Sequence, residues 1–296
     1  MKAALLPDRG VVKVVGDGAR TFLHGIVTAD ILDLKAGAAR FAAVLTPQGK
    51  IIADFIVTEA PAEDGGGFFL DVPRALATTL VDKFNLYKLR AKVIIEDLSA
   101  VLGVMAVWEG AGATDCGLCY ADPRLPALGT RIMLPPHLAA AAADDLGAAL
   151  VGADDYEAHR IALGVPRGGV DFSYGDAFPH ETDMDQLGGV DFAKGCYVGQ
   201  EVVSRMQHRG IARTRVVPVR YHGAAPEAGA IVVAGDRQIG VMGSAAGGRA
   251  VALLRLDRVA EAMSRGEQLL GGGVPIELIK PGWANFAFPG ESKAAE

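Results

Sequence analysis

The residues with the clearest chemical potential lie in Lys194-Gly195-Cys196-Tyr197-Val198-Gly199-Gln200-Glu201. A glycine frees the backbone just before the cysteine, a lysine sits two residues ahead of it, and a second glycine leads into an amphipathic run. The pattern predicts a loop feeding a helix N-terminus. There the partial positive charge of the helix end and the Lys194 ammonium both favour a thiolate, the form of cysteine that attacks electrophiles and ligates soft metals. The competing reading is a buried, inert thiol. A cysteine hydrolase would pair Cys196 with His208 as base, but no Asn or Asp is identifiable to orient that histidine. Residues 194–220 also carry six cations (Lys194, Arg205, Arg209, Arg213, Arg215, Arg220) against the single anion Glu201. Such a patch suits an anionic ligand, unless it is simply a solvated positive face.

The elements that must position these groups follow from periodicity and turn signals. Residues 11–15 read as a strand, Gly16-Asp17-Gly18 as a turn, and residues 19–27 as a helix with Phe22, Leu23 and Ile26 on one side. Residues 41–45 and 51–58 form a hairpin around Thr46-Pro47-Gln48-Gly49-Lys50. Asp54 lies inside the second hairpin strand, where a carboxylate needs water or a partner. Residues 68–72, 73–84 and 91–96 read as strand, helix and strand, and residues 98–107 as β-like. Together they give an α+β pattern rich in antiparallel pairs. Residues 154–164 form a helix with an Asp cap and a Gly stop. After residue 213, short apolar runs alternate with glycines at 216–221, 230–234, 238–244, 249–256 and 274–279, with a helix near 257–264. This spacing predicts a small β-barrel. The linear division is 1–97 and 98–210 as two α+β parts, 211–287 as the barrel, and 288–296 as a polar, frayed tail.

Composition bounds the function. The 296 residues are 50% hydrophobic and 22% charged, which excludes a disordered chain. A net charge of -6 and a pI near 5.6 argue against a nonspecific DNA binder. Three cysteines make no disulfide framework. No signal-type segment opens the chain, and no apolar run reaches the roughly 20 residues that span a bilayer. These features predict a cytoplasmic protein with reduced thiols and no membrane partner. Cys116-Gly117-Leu118-Cys119 is a lone CxxC without a second ligand pair at zinc-site spacing, and it reads as two thiols in a loop and strand edge.

The string Lys-Gly-Cys-Tyr-x-Gly-Gln-Glu resembles the signature of the YgfZ family, folate-binding proteins related to the glycine cleavage T-protein that support iron–sulfur enzyme maturation. Weaker similarities accompany it at Phe22-Leu23-x-Gly25 with Thr28-x-Asp30, at residues 85–97 and 120–131, and at Arg160-Ile161-x-x-Gly164-x-Pro166. The resemblance implies a T-protein-like multidomain α+β architecture with antiparallel-rich α/β domains and a C-terminal β-barrel. It also implies tetrahydrofolate, or a one-carbon derivative, as cofactor. Asp54 and Glu181 would meet the folate, with Glu181 on the amino-pyrimidine edge. Tyr197 and Gln200 would line the site, and Arg205, Arg209 and Arg213 would take the glutamate tail, since bidentate carboxylate recognition favours arginine. Cys196, assisted by Lys194, would be the working thiolate, either acting on a folate adduct or serving as an iron–sulfur ligand. One cysteine cannot hold a cluster by itself, which implies a transient cluster shared with an assembly scaffold or carrier protein. The alternative is a folate-dependent aminomethyltransferase. Two departures weigh against it: T-proteins carry paired aspartates where this chain has Ala53-Asp54, and a pterin-contacting glutamate where it has Ala162.

Overall fold

Apolar residues at Val12 and Val14, at Ala53, Phe55 and Val57, and at Phe68, Leu70 and Val72 recur with the period of two that turns every second side chain of a strand to one face. In the structure, a computed structural model that describes residues 1–210 and 212–290, these faces pack against two helices. The chain opens with β1 (Lys2–Leu6), β2 (Arg9–Val15), α1 (Ala19–Ile26), β3 (Ala39–Leu45), β4 (Ile51–Glu59), β5 (Phe68–Pro73), α2 (Ala77–Tyr87) and β6 (Ile94–Asp97). It continues with β7 (Gly103–Trp108), β8 (Leu118–Ala121), β9 (Thr130–Leu134), α3 (Ala139–Asp145), β10 (Ala149–Leu150), α4 (Ala153–Ala162) and α5 (Gln200–Arg209). The last elements are β11 (Thr214–Tyr221), β12 (Ile231–Ala234), β13 (Arg237–Ala246), β14 (Arg249–Arg255), α6 (Leu256–Ser264), β15 (Leu269–Gly271) and β16 (Val274–Leu278).

Two compact units result: Met1–Tyr156 with Leu187–Glu201, and Glu157–Gln186 with the chain from Val202 onward. The first unit holds two five-stranded sheets, ordered β3-β4-β5-β2-β6 and β10-β1-β7-β9-β8. Every pair in them is antiparallel except β1 with β10. One face of the first sheet buries Phe22, Leu23 and Ile26 of α1 and Leu80 and Phe84 of α2, with Phe84 edge-on to both Phe22 and Phe55. The second sheet covers its outer face with Ala139, Ala142 and Ala143 of α3. Within this unit a buried ion network links the two sheets. Arg131 on β9 donates to Asp71 on β5 at 2.7 Å and to Asp122 at 2.9 Å, and Arg9 donates to Asp71 at 2.6 Å. Burial opposes ionisation of Asp71, yet Arg9 and Arg131 hold its carboxyl below the usual range.

The second unit contains the barrel, closed in the order β11-β14-β13-β12-β15-β16 with β16 returning to β11. Closure leaves no exposed strand edge. Arg160, near the end of α4, is buried and donates to Asp171 at 2.8 Å and to Ser244 on β13 at 2.6 Å. Gly164 has φ +73°, and a Cβ there would lie 2.9 Å from Pro218 of β11. The Arg-Ile-x-x-Gly segment therefore locks α4 to the barrel.

The α+β architecture with a terminal barrel is as expected. The linear spans 1–97, 98–210 and 211–287 do not coincide with the two units: β1 joins the sheet built from residues 103–150, residues 98–156 and 187–201 share the unit of residues 1–97, and residues 157–186 and 202–210 group with the barrel. Residues 291–296 of the expected tail lie outside the described residues.

Candidate functional site

The Cys196 loop is held at four points within the first unit. Thr28 is fully buried; its hydroxyl donates to the Gly189 carbonyl at 2.6 Å and accepts the Ala43 amide at 2.8 Å. The Asp191 amide returns to the Thr28 carbonyl at 2.9 Å, while the Asp191 carboxylate accepts the Ala193 and Lys194 amides at 2.8 and 3.0 Å. Lys194 turns inward, and its Nζ donates to the carbonyls of His24 and Val27 at 2.6 Å and of Ala29 at 2.9 Å. These carbonyls lie at and just past the end of α1, where helix carbonyls lack partners and a cation is favoured. The fourth point is Gly199. With φ +85° it occupies the left-handed region, and a Cβ there would lie 2.5 Å from the Thr46 carbonyl oxygen of the hairpin turn.

Lys194 also anchors the loop, its ammonium protons taken up by backbone carbonyls. Burial draws its pKa down to about 8, against the pull of Asp30 and Asp191. Tyr197 is also buried, with the Lys194 Nζ 5.2 Å from its ring centre, and burial lifts its phenol to about 12. Gln200 donates its side-chain amide back to the Gly195 carbonyl at 3.4 Å. Between these inward anchors, Phe192, Ala193, Gly195 and Cys196 are exposed. The buried-thiol reading is therefore set aside: Cys196 is an exposed free thiol on a fixed mount, four residues ahead of α5.

Glu181, Arg205 and Arg213 meet in the second unit. They line one cleft of about 400 Å³ with Phe178, Val202, Met206, Ala212, Thr214 and Arg255. The Glu181 carboxylate accepts the Phe178 amide at 2.9 Å, and its carbonyl accepts the Val216 amide of β11 at 2.9 Å, which fixes the acid at the barrel entrance. Arg255 was not foreseen; it is paired to Asp257 at 2.7 Å, and no sequence signal set it apart from the barrel's other arginines. Arg209 is exposed one turn along α5 from Arg205 and lies outside the cleft's lining. Arg205, Arg213 and Arg255 thus line the cleft together with the Glu181 carboxylate, and Arg255 is already paired to Asp257.

Asp54 sits in neither place. Strand alternation turns it away from Ala53 and Phe55, which face the helix-covered core, and it is buried on β4. Its charge contributes to Arg9: burial lowers that guanidinium's pKa, while Asp71 and then Asp54 raise it, with a net rise. Asp183 lies in the same polar loop as Glu181. It is fully buried with φ +58°, and its Oδ2 has no hydrogen-bond partner. Among the described residues, no group of three or more His, Cys, Asp or Glu side chains is placed to hold a metal ion.

Comparisons with known proteins agree with this geometry at the level of fold and family. The family model described as CAF17, C-terminal beta-barrel domain, matches residues 213–286. Human "Iron-sulfur cluster assembly factor IBA57, mitochondrial" is 30% identical over 286 residues, covering 86% of this chain and 77% of that protein. The corresponding IBA57 homologue of Mycosarcoma maydis is 35% identical over 235 residues, and that of Coccidioides immitis 29% over 339. The matches cover 75% and 98% of this chain; the chain spans 57% of the first relative's length and 79% of the second's. A crystal structure of glycine cleavage system aminomethyltransferase T from Bartonella henselae superposes with TM-score 0.71 at 15% identity, covering 97% of this chain and 87% of that one, which establishes the fold alone. These names correct the expected cytoplasmic location, because the relatives are named as mitochondrial proteins. Composition could not separate the two settings, since reduced thiols and a moderately acidic surface suit either. No described helix is long and apolar enough to cross a membrane.

Proposed function

We propose, from the premise that this chain belongs to the family of IBA57 iron–sulfur cluster assembly factors, that it is a folate-binding accessory protein of iron–sulfur cluster assembly with Cys196 as its working thiolate. This reading also keeps the narrower likeness to the YgfZ proteins. The observation that carries it is the exposed Cys196 thiol on a loop fixed by Thr28, Asp191, Lys194 and Gly199. A thiolate is the soft ligand that iron–sulfur clusters use, and a single one needs the remaining ligands from elsewhere. The partner is therefore a scaffold or carrier protein that presents its own thiolates and shares a cluster transiently. Tetrahydrofolate fits the cleft of the second unit on charge. Arg205 and Arg213 would take the glutamate carboxylates, Glu181 the amino-pyrimidine edge, and Phe178 a ring face.

Complementation tests this reading. Cells lacking the native protein receive wild type or Cys196→Ser, and a [4Fe-4S] enzyme and glycine cleavage flux are assayed together. The expected result is loss of the cluster enzyme with Cys196→Ser at normal glycine cleavage. An intact cluster enzyme with reduced glycine cleavage in cells without the protein would make this a transferase instead. That second reading draws on the T-protein-like fold. The sequence departures weigh against it: Ala53 stands where T-proteins carry the first of two paired aspartates, and Ala162 where they carry a pterin-contacting glutamate. For the folate itself, tetrahydrofolate is titrated with Arg205→Gln and Arg213→Gln. Each lost guanidinium is expected to weaken binding about tenfold. Unchanged affinity would remove folate from the cleft.

A further inference from the structure

A second thiol site lies in the first unit, away from the signature loop. Cys116 and Cys119 line a cleft of about 760 Å³ whose walls include Lys13, Asp64, Phe69, Leu98 and Thr114. Cys119 lies on β8 opposite Ile132 of β9, and Ile132 belongs to the core beneath α3. Because strand side chains alternate, Cys119 shares that face. Cys116, in the turn before β8, packs against the same core. The two thiols therefore sit on one side of one sheet, both half-buried.

The frame around them is fixed. Thr114 is buried; its hydroxyl accepts the Cys116 amide at 3.2 Å, and its carbonyl lies 3.7 Å from the Cys119 Sγ. Gly117, between the two cysteines, is pressed against β9, where a Cβ would lie 2.3 Å from the Met133 carbonyl oxygen and 2.8 Å from the Leu134 Cβ. A side chain at 117 would push the turn off the sheet. The dithiol is thus held by its backbone rather than carried on a free loop.

We propose that Cys116 and Cys119 form a two-sulfur site for a monovalent soft cation of the copper(I) class. Zinc seeks four ligands, and among the described residues no group of three or more His, Cys, Asp or Glu is placed to supply such a set. Thiolate donors select copper(I), which accepts two. Binding releases both thiol protons and leaves a bis-thiolate complex of net charge -1. The cleft wall is acidic, with Glu63, Asp64 and Asp115 against Lys13, which favours entry of a cation; the Lys13 Nζ donates to the Asp64 carbonyl and lies 5.8 Å from the Phe69 ring centre.

The test gives copper(I), buffered by a competing chromophoric chelator, to the reduced full chain under anaerobic conditions. Wild type and Cys196→Ser are expected to withdraw one equivalent. Cys116→Ser and Cys119→Ser should each bind roughly a hundredfold more weakly, about 2.7 kcal/mol. Excess zinc(II) should not displace the metal, and prior treatment with a trivalent arsenical, which bridges two neighbouring thiols, should block uptake. Circular dichroism and Tm show whether the serine variants stay folded, and a Cys116→Ala, Cys119→Ala chain serves as a second variant pair. Uptake that survives either single substitution, depends on Cys196, or yields to zinc overturns the proposal.

Discussion

Asp183 shows how one residue can carry a stored electrostatic cost. Its Oδ1 accepts Arg215 Nη1 at 3.0 Å, but the same guanidinium is held by Asp185 at 2.8 and 2.9 Å. One cation thus faces two carboxylates. Burial pushes the Asp183 carboxyl well above its ordinary range, against the pull of Arg215, and its Oδ2 is buried without a hydrogen-bond partner. A folded pKa above the unfolded one means that the native state binds the extra proton from about pH 4 upward. Asp183 therefore contributes stability at low pH that is lost as pH rises through its folded pKa. Asp183→Asn keeps the Oδ1 acceptor and tolerates φ +58°, because asparagine enters the left-handed region readily. The variant is expected to show a flatter dependence of Tm on pH above pH 4 and, at pH 7, a Tm at least about 2 °C higher than wild type. A lower Tm at pH 7 would mean that the native carboxyl is ionised and paired. His180 works in the opposite sense: burial lowers its pKa, so it costs stability as pH falls below about 6.5.

At the scale of elements, the signature loop acts as a mount, and its sequence announced the cysteine more clearly than the anchors. The glycines, the lysine and the following helix were legible because turn chemistry and helical periodicity are local. The partners Thr28, the α1 carbonyls and the Thr46 turn lie about 150 or more residues away, and a linear pattern does not pair them. For the same reason the hold of Lys194 on the α1 carbonyls was not legible. The barrel was legible from its glycine spacing, and the hairpin from Pro47-Gln48-Gly49, yet the move of β1 into the sheet of residues 103–150 was not. Strand order depends on long-range pairing, which the period of two does not specify. The mount makes two predictions. Gly199→Ala forces a Cβ against a backbone oxygen in a left-handed conformation and should cost about 1–3 kcal/mol by denaturant titration. Lys194→Met leaves three carbonyls without their donor and should cost about 1–3 kcal/mol. Both variants should alkylate Cys196 faster than wild type as the loop loosens. Unchanged stability with wild-type alkylation would show that the loop holds without these anchors.

For the whole molecule, each unit has its own buried charge network and its own tryptophan, which makes their stabilities separable by experiment. In the first unit Arg131 joins Asp71 to Asp122, and Trp108 is buried with its ring 5.4 Å from that of Tyr156. In the second, Arg160 joins Asp171 to Glu157 and Ser244, and the Trp283 indole donates to the Leu163 carbonyl at 2.9 Å. Removing one member of a buried ion network leaves its partners charged and uncompensated, a cost of about 3–5 kcal/mol. The chain has two tryptophans, so Trp283→Phe leaves Trp108 as the reporter of the first unit, and Trp108→Phe leaves Trp283 as the reporter of the second. Arg131→Met is expected to move the Trp108 transition to lower urea while the Trp283 transition holds. Arg160→Met should do the reverse. The double dissociation follows because each guanidinium's ion pairs lie within one unit. If Arg131→Met instead displaces both transitions equally, the two units melt as one cooperative body, and the networks stabilise the chain jointly rather than unit by unit.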